Sequence, residues 1–442
     1  MNIAVEKTES VAGIARRARA AARVLGRLTD ERRNEFLLTA AQEIERRSVE
    51  ILAANARDCA AAEINRMSRS MFDRLKTNER GVREMAARIR EVAALPDPLG
   101  RKLAVTELDD DLTLTKVTCP LGVVGVIFES RPDVIPQVAS LTFKSGNAVI
   151  LKGGSEAAHT NDALASVLRD ALARFPEVPA EAINLVHSRQ DVDAMLALDE
   201  DITLIVPRGS KAFVNSIAKR SRIPVLGHGE GICHVYIDRA ADLQKARAIA
   251  IDAKVQYPAA CNAAETLLVH KEVAADFLPV IIAAYTGAGV EVRGCSRSVA
   301  LAGDAAAAVR SAQLSDWSTE YSDLIISIKV VDDLNEAIAH IAAYGSGHTE
   351  AIITEDARAA NRFMEEVDAA GVYHNASTRF ADGFRYGFGA ELGISTSKLH
   401  ARGPVGLEGL TSYKYLLVGS GQTVASYASG QRSFKHRKAE VG

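Results

Sequence analysis

The chain has 442 residues, of which 48% are hydrophobic, and a formal net charge of −3. This length can bury a large core in two or three domains, and the near-neutral charge argues against a strongly basic nucleic-acid binder. The five cysteines are dispersed without the paired spacing of a disulfide framework or zinc site, so we expect reduced thiols and a cytoplasmic location. No apolar run approaches the roughly 20 residues needed to span a bilayer, so no membrane partner is expected.

Residues 1 to about 95 have the spacing of long amphipathic helices, with apolar stripes such as Phe36, Leu37 and Ile44. The Ala- and Arg-rich run from Val11 to Leu28 could also be a targeting segment. Acidic residues precede it and the helical pattern continues beyond it, which favours a helix of the domain. The next element, Leu112 to Val117, alternates with period two and predicts a half-exposed strand of an arm.

From Gly122 short apolar runs alternate with helical segments, a pattern typical of a parallel sheet covered by helices. The first region predicts strands at Val123–Phe128, Ala148–Leu151, Ile183–Val186 and Ile202–Val206, with helices at Ala157–Arg174 and Lys211–Arg220. The second predicts strands at Val235–Ile237, Thr266–Val269, Ile325–Val331 and Ala351–Thr354, with helices at Leu243–Val255, Val273–Tyr285 and Leu334–Tyr344. The tail from Tyr373 predicts long ordered loops, and the residues from Gln431 are expected to fray.

Two glycine-rich segments invite comparison with nucleotide-binding turns. Lys152-Gly153-Gly154-Ser155 follows a predicted strand and precedes a predicted helix, so its backbone N–H groups, ammonium and hydroxyl could bind an anion. An ordinary turn with Ser155 as helix N-cap is the alternative. The segment Gly227–Gly231 has glycines at similar spacing, but a predicted strand follows it, whereas a dinucleotide fingerprint must open a helix.

Cys261 lies after Pro258 and a run of small residues, which predicts a loop tip before an apolar strand. A thiolate there could form a thioester, whose carbonyl accepts hydride more readily than a carboxylate does. The local sequence shows no neighbouring base, and a buried structural cysteine is an equally good interpretation on local grounds. The ten histidines show no metal-ligand spacing, so no metal is predicted.

The segment Asn375–Phe380 combines an amide, two hydroxyls and a guanidinium, from Ser377, Thr378 and Arg379 among others. Such a set can bind a carboxylate or a phosphate through charge-assisted hydrogen bonds. A plain polar turn is the more frequent explanation for one such hexamer, so the segment alone leaves both interpretations open.

Seven segments carry a more specific signal: Phe128–Val134, Lys144–Glu156, Val206–Gly209, Cys233–Tyr236, Cys261–Thr266, Tyr373–Phe380 and Gly393–Pro404. In this order, and over nearly the whole chain, they resemble the γ-glutamyl phosphate reductase family of the aldehyde dehydrogenase superfamily. The family usually has Arg, Gly and Ala where this chain has Tyr257, Ser210 and Ser130. Ser130 and the C-terminal extension are more similar to the reductase half of the bifunctional pyrroline-5-carboxylate synthases.

The resemblance implies an α/β fold of the aldehyde dehydrogenase type. It implies a Rossmann-like cofactor-binding domain over 1–105 and 124–232, an α/β catalytic domain over 233–405, and a small β oligomerisation arm over 106–123 and 406–430. The expected partners are further copies of the chain, as a dimer or tetramer, with a glutamate 5-kinase as a candidate partner.

The implied function is the NADPH-dependent reduction of L-glutamate 5-phosphate to L-glutamate 5-semialdehyde and phosphate, the second step of proline biosynthesis. The implied catalytic residues are Cys261, as the nucleophile that forms the thioester, and Asn262, whose region with the Cys261 N–H would stabilise oxyanions. The implied cofactor contacts are Lys152, Gly153, Gly154, Ser155, Gly209, Ser210 and Glu320. The implied substrate contacts are Arg131, Ser377, Thr378 and Arg379.

Hydrolytic members of the superfamily carry a glutamate that activates the deacylating water. The corresponding stretch here, Val225–Gly229, has no carboxylate, which fits a thioester that meets hydride and not water. Two alternatives stay open. One is a phosphate-independent NAD(P)-linked aldehyde dehydrogenase on the same fold, and the other is a catalytically silent structural member.

Overall fold

The computed structural model describes residues 10–129, 131–227 and 229–440, and the backbone alone at Ser70 and Lys211. Ser130, where the family usually has Ala, lies outside the described residues. Several helices are preceded by an N-cap residue whose side-chain oxygen accepts a hydrogen bond from a backbone N–H of the first turn. Thr29, for example, accepts from the Arg32 N–H. The helices are α1 (Val11–Leu25), α2 (Asp30–Arg46), α3 (Ser48–Ile64), α4 (Arg69–Leu75), α5 (Glu79–Ala94), α6 (Val134–Lys144), α7 (Ala158–Leu172), α8 (Arg189–Met195), α9 (Lys211–Arg220), α10 (Leu243–Val255), α11 (Lys271–Gly287), α12 (Ser296–Leu301), α13 (Leu334–Tyr344), α14 (Ala357–Glu366) and α15 (Val424–Ala428).

The strands follow the apolar runs of the sequence closely, since a run buried on both faces of a parallel sheet is continuously hydrophobic. They are β1 (Lys102–Asp109), β2 (Leu112–Pro120), β3 (Val123–Phe128), β4 (Ala148–Lys152), β5 (Ile183–Leu185), β6 (Leu204–Arg208), β7 (Cys233–Ile237), β8 (Ala264–His270), β9 (Glu291–Gly294), β10 (Val309–Ser311), β11 (Ile325–Val331), β12 (Thr349–Ile353), β13 (Gly371–His374), β14 (Gly393–Ser395), β15 (Gly403–Val405), β16 (Thr411–Val418) and β17 (Arg437–Ala439).

Backbone contacts divide the chain into two compact units. Unit 1 comprises Met1–Gly227, Phe388–Gly393 and Val405–Gly442, and unit 2 comprises His228–Gly387 and Ile394–Pro404. No helix within the described ranges is both long and apolar enough to cross a membrane.

Unit 1 contains a parallel four-stranded sheet in the order β5-β4-β3-β6. All six residues of β3 are buried, and helices α6 and α7 each contact β4 or β5 in the same unit. This is the Rossmann-like layer that the sequence predicted. The fourth strand begins at Leu204 and not at Ile202, two residues later than the apolar run suggested.

Unit 2 contains a parallel seven-stranded sheet in the order β10-β9-β11-β8-β7-β12-β13. Its core is built from fully buried aliphatic side chains on the central strands, with Phe277 and Tyr285 of α11 packed against them. The second predicted α/β region is therefore confirmed, with three further strands, β9, β10 and β13, that the sequence did not reveal. Strands β8, β7 and β12 are neighbours, and because they are parallel their amino ends meet at one edge of the sheet.

Unit 1 also contains an antiparallel sheet in the order β16-β2-β1-β17, here called the arm sheet. The strand predicted at Leu112–Val117 is confirmed as part of β2. Local composition predicted a loop at Thr411–Val418, whereas the resemblance implied a β arm there; the stretch is a strand, and most of its side chains are exposed. The expectation that all residues from Gln431 fray is wrong, because Arg437–Ala439 pair with the open edge of β1.

Candidate active site

Cys261 lies on a short loop between α10 and β8. The helix ends at Val255, and Pro258 follows in a tight turn in which the Ala260 N–H donates to the Tyr257 carbonyl over 3.2 Å. The loop ends where β8 begins at Ala264. The Cys261 side chain is half-buried, so its thiol is placed on the loop that the sequence predicted.

The segment before β7 packs directly against the Cys261 backbone. A Cβ at Gly231 would lie 2.5 Å from the Cys261 carbonyl carbon and 2.7 Å from its Cα, distances that real Cβ atoms do not show. The Cys233 thiol also donates to the Cys261 carbonyl oxygen over 3.4 Å. The carbonyl side of the loop is therefore held by the start of the neighbouring strand.

The segment before β12 brings a histidine to the cysteine. His348 Nε2 lies 3.2 Å from Cys261 Sγ, and His348 Nδ1 lies 2.8 Å from Thr349 Oγ1. Both His348 and Thr349 are buried. Sequence reasoning missed this residue because 87 positions separate it from Cys261. Only the strand order of the sheet brings the two together.

Asn262 follows the cysteine and is buried. Its side-chain Nδ2 donates to the Ala381 carbonyl over 2.8 Å, which ties the cysteine loop to the segment after β13. The Asn262 backbone N–H has no acceptor among the described residues. A backbone donor next to the nucleophile is a candidate to bind an oxyanion.

A 3₁₀ turn at Thr378–Phe380 follows β13 and is capped by Ser377; Ser377, Thr378 and Arg379 are buried. The Ser377 hydroxyl accepts from the Arg379 backbone N–H over 3.3 Å, whereas the Thr378 hydroxyl has no partner among the described residues. Arg379 Nε donates to Gln256 over 2.9 Å, and the guanidinium lies 5.8 Å from the ring centre of Tyr257.

Arg379 has no carboxylate within ion-pair distance in the described part of the chain, although it is only 7% exposed. Burial lowers the pKa of its guanidinium, and Arg385 lowers it further, while the Cys261 and Asp382 charges raise it. A buried cation without an anionic partner is costly. The turn is thus suited to an anionic group of a ligand.

The predicted phosphate-binding turn of unit 1 follows β4. A Cβ on Gly154 would lie 2.5 Å from Glu156 Oε2, so only glycine allows this carboxylate to fold back over the turn. Ser155 is exposed and begins a 3₁₀ turn; it does not cap α7, so its interpretation as an N-cap is wrong. Burial lowers the pKa of Lys152, and Arg189 lowers it further, while Glu156 raises it.

The other predicted residues of unit 1 lie near the carboxyl ends of β3 and β6. Gly209 and Ser210 follow β6. The Ser210 side chain caps α9, and the Ser210 backbone N–H donates to the Glu129 carboxylate over 3.2 Å. Arg131 is about half exposed and lies 3.6 Å from Asp133. In open parallel sheets, ligands bind at the carboxyl ends of the strands.

Glu320 lies in unit 2, shortly before β11. Its segment is held by Glu265, which accepts from the Ser322 N–H over 3.2 Å and pairs with buried Lys254 over 2.6 Å. Unit 2 therefore contains Cys261, Asn262, Glu320 and the turn with Arg379. The remaining predicted site residues, Lys152, Gly153, Gly154, Ser155, Gly209, Ser210 and Arg131, lie in unit 1.

Comparison with known proteins gives consistent matches. Residues 1–292 match the aldehyde dehydrogenase family. The chain is 52% identical over 427 residues to γ-glutamyl phosphate reductase of Haloquadratum walsbyi. The aligned region covers 95% of this chain and 93% of that protein. It is also 52% identical over 425 residues to γ-glutamyl phosphate reductase of a Cyanothece species, with 96% and 97% coverage.

The structural comparisons agree. γ-Glutamyl phosphate reductase of Thermotoga maritima has a TM-score of 0.91 and 41% identity over 94% of this chain and 100% of that one. A glyceraldehyde-3-phosphate dehydrogenase of Methanocaldococcus jannaschii, solved in complex with NADP, has a TM-score of 0.64 at 18% identity over 94% of this chain and 96% of that one. The second likeness concerns the fold alone.

Proposed function

The chain belongs to the aldehyde dehydrogenase family and, within it, to the γ-glutamyl phosphate reductases, and from this membership we propose that it reduces L-glutamate 5-phosphate to L-glutamate 5-semialdehyde and phosphate with NADPH. This is an oxidoreductase step of proline biosynthesis. The observation that carries the proposal is the position of Cys261 on the loop before β8. The chain that contains this loop is 52% identical to a γ-glutamyl phosphate reductase.

The proposed reaction begins with attack of the Cys261 thiolate on the acyl carbon of the substrate. The C–O bond to phosphate breaks and a thioester forms. NADPH, when bound, would supply the hydride that reduces this thioester. The Asn262 backbone N–H is available to the oxyanion of each tetrahedral species, and preorganised donors of this kind typically contribute about 3 to 4 kcal/mol to barrier lowering.

The residues of unit 1 fit a dinucleotide phosphate. The turn after β4 combines backbone N–H groups with the Lys152 ammonium, which is already partly desolvated, and with the nearby charge of Arg189. Ser155 is exposed beside them and is small, which leaves space for the 2′-phosphate of NADPH. The Glu156 carboxylate folded over Gly154 would have to share Lys152 with that phosphate.

The decisive assay follows NADP⁺ reduction by the pure protein with pyrroline-5-carboxylate, the cyclised semialdehyde, with and without phosphate. We expect reduction that requires phosphate, since phosphate must attack the thioester in this direction. Equal rates without phosphate would instead support a phosphate-independent dehydrogenase. No reduction under either condition would support the silent structural member.

We predict that Ser155→Glu shifts the preference from NADPH toward NADH. A carboxylate placed against the 2′-phosphate is repelled by it. The ratio of kcat/KM for NADPH to that for NADH should therefore fall by a factor equivalent to roughly 1 to 3 kcal/mol. Ser155→Ala is the matched control and should change this ratio little. A ratio that stays the same in Ser155→Glu would reject this placement of the 2′-phosphate.

We predict that Arg379→Ala and Arg131→Ala separate the two anionic ends of the substrate. Buried Arg379 is proposed to bind the α-carboxylate, assisted by Ser377 and Thr378, so its loss should raise KM for pyrroline-5-carboxylate more than KM for phosphate. Exposed Arg131 is proposed to serve the phosphate, and its loss should have the reverse effect. Equal changes of both constants in both variants would assign the two arginines to the scaffold.

The proposal includes an oligomer, a dimer or tetramer formed through the arm sheet. Strand β16 is an edge strand, and its side chains Tyr415, Leu417 and Val418 are 59%, 57% and 69% exposed. An exposed apolar edge of this kind is a template for pairing with another chain. A cytoplasmic location and a glutamate 5-kinase partner, which would supply the reactive acyl phosphate, complete the proposal.

A further inference from the structure

We infer that His348 is a catalytic residue, the base that takes the thiol proton of Cys261 and gives it to the departing phosphate. The inference rests on the proposed function for the identity of the leaving group. Its basis is the contact between His348 Nε2 and Cys261 Sγ, 3.2 Å, which is within reach for proton transfer. A cysteine nucleophile with an adjacent base is more reactive because the thiolate is the attacking species.

The second nitrogen of the imidazole also has a partner. His348 Nδ1 lies 2.8 Å from Thr349 Oγ1, and both side chains are buried. When Nδ1 donates its proton to the threonine oxygen, Nε2 presents a lone pair to the Cys261 thiol. Thr349 thereby acts as a positioning residue that holds the ring with Nε2 toward the thiol.

The position of His348 is fixed from the neighbouring strand. The Ile232 N–H donates to Ser346 Oγ over 2.9 Å, and the Ser346 N–H donates to the Ile232 carbonyl over 3.4 Å. Ile232 follows Gly231, whose Cα packs against the backbone of Cys261. The loop that carries the base and the loop that carries the nucleophile are thus held by the same short segment before β7.

The proton transfers balance over one turnover. The Cys261 proton passes to His348 Nε2, and the thiolate attacks the acyl carbon. His348 then gives this proton to the phosphate oxygen as the C–O bond breaks, so phosphate leaves as its monohydrogen form. After the thioester has taken up hydride, the oxyanion collapses to the aldehyde and expels the Cys261 thiolate. One proton from solvent restores the thiol, which is the net proton that the reduction consumes.

Other titratable groups face the pair within unit 2, and none of them can replace the imidazole. Burial raises the pKa of the Cys233 thiol, and Glu350 raises it further, so this group stays protonated. Burial also raises the pKa of the Tyr386 phenol, which lines a small pocket together with His348. The Arg379 guanidinium, near enough to feel the Cys261 charge, remains a cation.

A second buried histidine lies nearby but is committed elsewhere. His234 on β7 and Glu350 on β12 occupy paired positions of the sheet, and both the backbone N–H and Nδ1 of His234 contact the Glu350 carboxylate, at 2.8 and 2.9 Å. Both side chains are fully buried. Their mutual contacts hold β7 against β12, and His348 is left as the imidazole at the thiol.

The test is the pH dependence of Cys261 alkylation by iodoacetamide in the protein without substrate, quantified by mass spectrometry of the Cys261 peptide. We compare wild type with His348→Gln, which keeps size and a polar tip but cannot take up the proton, and with Thr349→Val, which removes the oxygen that contacts Nδ1. Exposed His436→Gln is the matched control. Melting temperatures are measured for every variant.

We expect His348→Gln to slow alkylation at pH 7 at least about tenfold while the rate at pH 10 stays near wild type, because the thiol then ionises without help. Thr349→Val should shift the profile in the same direction by less, and His436→Gln should not shift it. In turnover, kcat of His348→Gln should fall about 10²-fold.

Superimposable alkylation profiles for wild type and His348→Gln would overturn the inference, and so would an equal slowing at every pH with a lowered melting temperature. Because alkylation needs neither substrate nor cofactor, its outcome is independent of the proposed function. Absence of phosphate-dependent NADP⁺ reduction in the wild type would reject that function and leave the alkylation result standing.

Discussion

Cys261→Ala should lower phosphate-dependent oxidation of pyrroline-5-carboxylate by about 10⁴-fold or more, with the melting temperature and NADPH affinity close to wild type. The substitution removes the only atom that can form the thioester, so the covalent path is lost and not merely slowed. The side chain is half-buried on a loop, and its replacement by a smaller group creates no large cavity. Initial rates, thermal melts and NADPH titration by fluorescence measure the three quantities.

The matched control for Cys261→Ala is another half-buried thiol. Cys59 on α3 and Cys119 on β2 both have this exposure and lie in unit 1. Cys59→Ala and Cys119→Ala should each retain activity. Comparable turnover in Cys261→Ala and wild type would reject the nucleophile assignment and with it the proposed chemistry.

Gly231→Ala should lower kcat/KM by at least about 10²-fold and lower the melting temperature. The substitution removes no side-chain contact, because glycine has no side chain, and its effect comes from the added methyl group. The added Cβ would overlap the carbonyl group of Cys261, and neighbouring backbone cannot rotate away as the end of a long side chain can. The cysteine loop must therefore shift, and a displacement of about 1 Å at a reacting atom can cost 10²-fold in rate. Steady-state kinetics and thermal melts measure both effects.

Gly287→Ala offers the control for Gly231→Ala. Gly287 is the last residue of α11, and apart from its chain neighbours and the backbone of its own helix, no described atom lies within 4 Å of the position its Cβ would take. The substitution should leave activity unchanged and stability equal or slightly higher, since alanine favours helix. If Gly231→Ala behaved like Gly287→Ala, the Cys261 loop would be more adaptable than its packing indicates.

The sequence predicted most of the central elements, because buried parallel strands are continuous apolar runs and Pro258 marks the end of α10. Strands β3, β4 and β11 and helices α9, α10 and α13 lie at or within one residue of their predicted bounds. The Cys261 loop was predicted for the same reason. Shorter strands such as β9 and β10 have three or four residues and too few apolar positions to show a period.

The composition of the active site was less accessible from sequence. His348 becomes a neighbour of Cys261 only through the order β8-β7-β12, in which the chain passes through β9, β10 and β11 before β12 is added on the far side of β7. Local patterns carry no information about strand order. The close approach of Gly231 to the Cys261 backbone was hidden for the same reason, because the sequence only showed that the glycines around it do not form a dinucleotide fingerprint.

Strand β17 was missed because its three residues, Arg437–Ala439, are all exposed and two of them are charged. Their pairing with β1 depends on an open strand edge and not on apolar burial. For the exposed strand β16, local composition indicated a loop, and only the family resemblance implied a β arm. In both cases composition described the solvent exposure correctly, whereas the backbone pairing could not be read from it.

The strand order of unit 2 also has a consequence for folding. The contact between Cys261 and His348 joins residues 87 positions apart in the sequence. Topologies dominated by such contacts fold slowly, because loop closure must precede the stabilising interactions. A growing polypeptide exposes Cys261 long before His348 has been synthesised. The thiol of the nascent chain therefore lacks the base that we propose for it, and His348 reaches Cys261 only when β12 pairs with β7. The nucleophile and its proposed base thus come together only when the central strands of the sheet are in place.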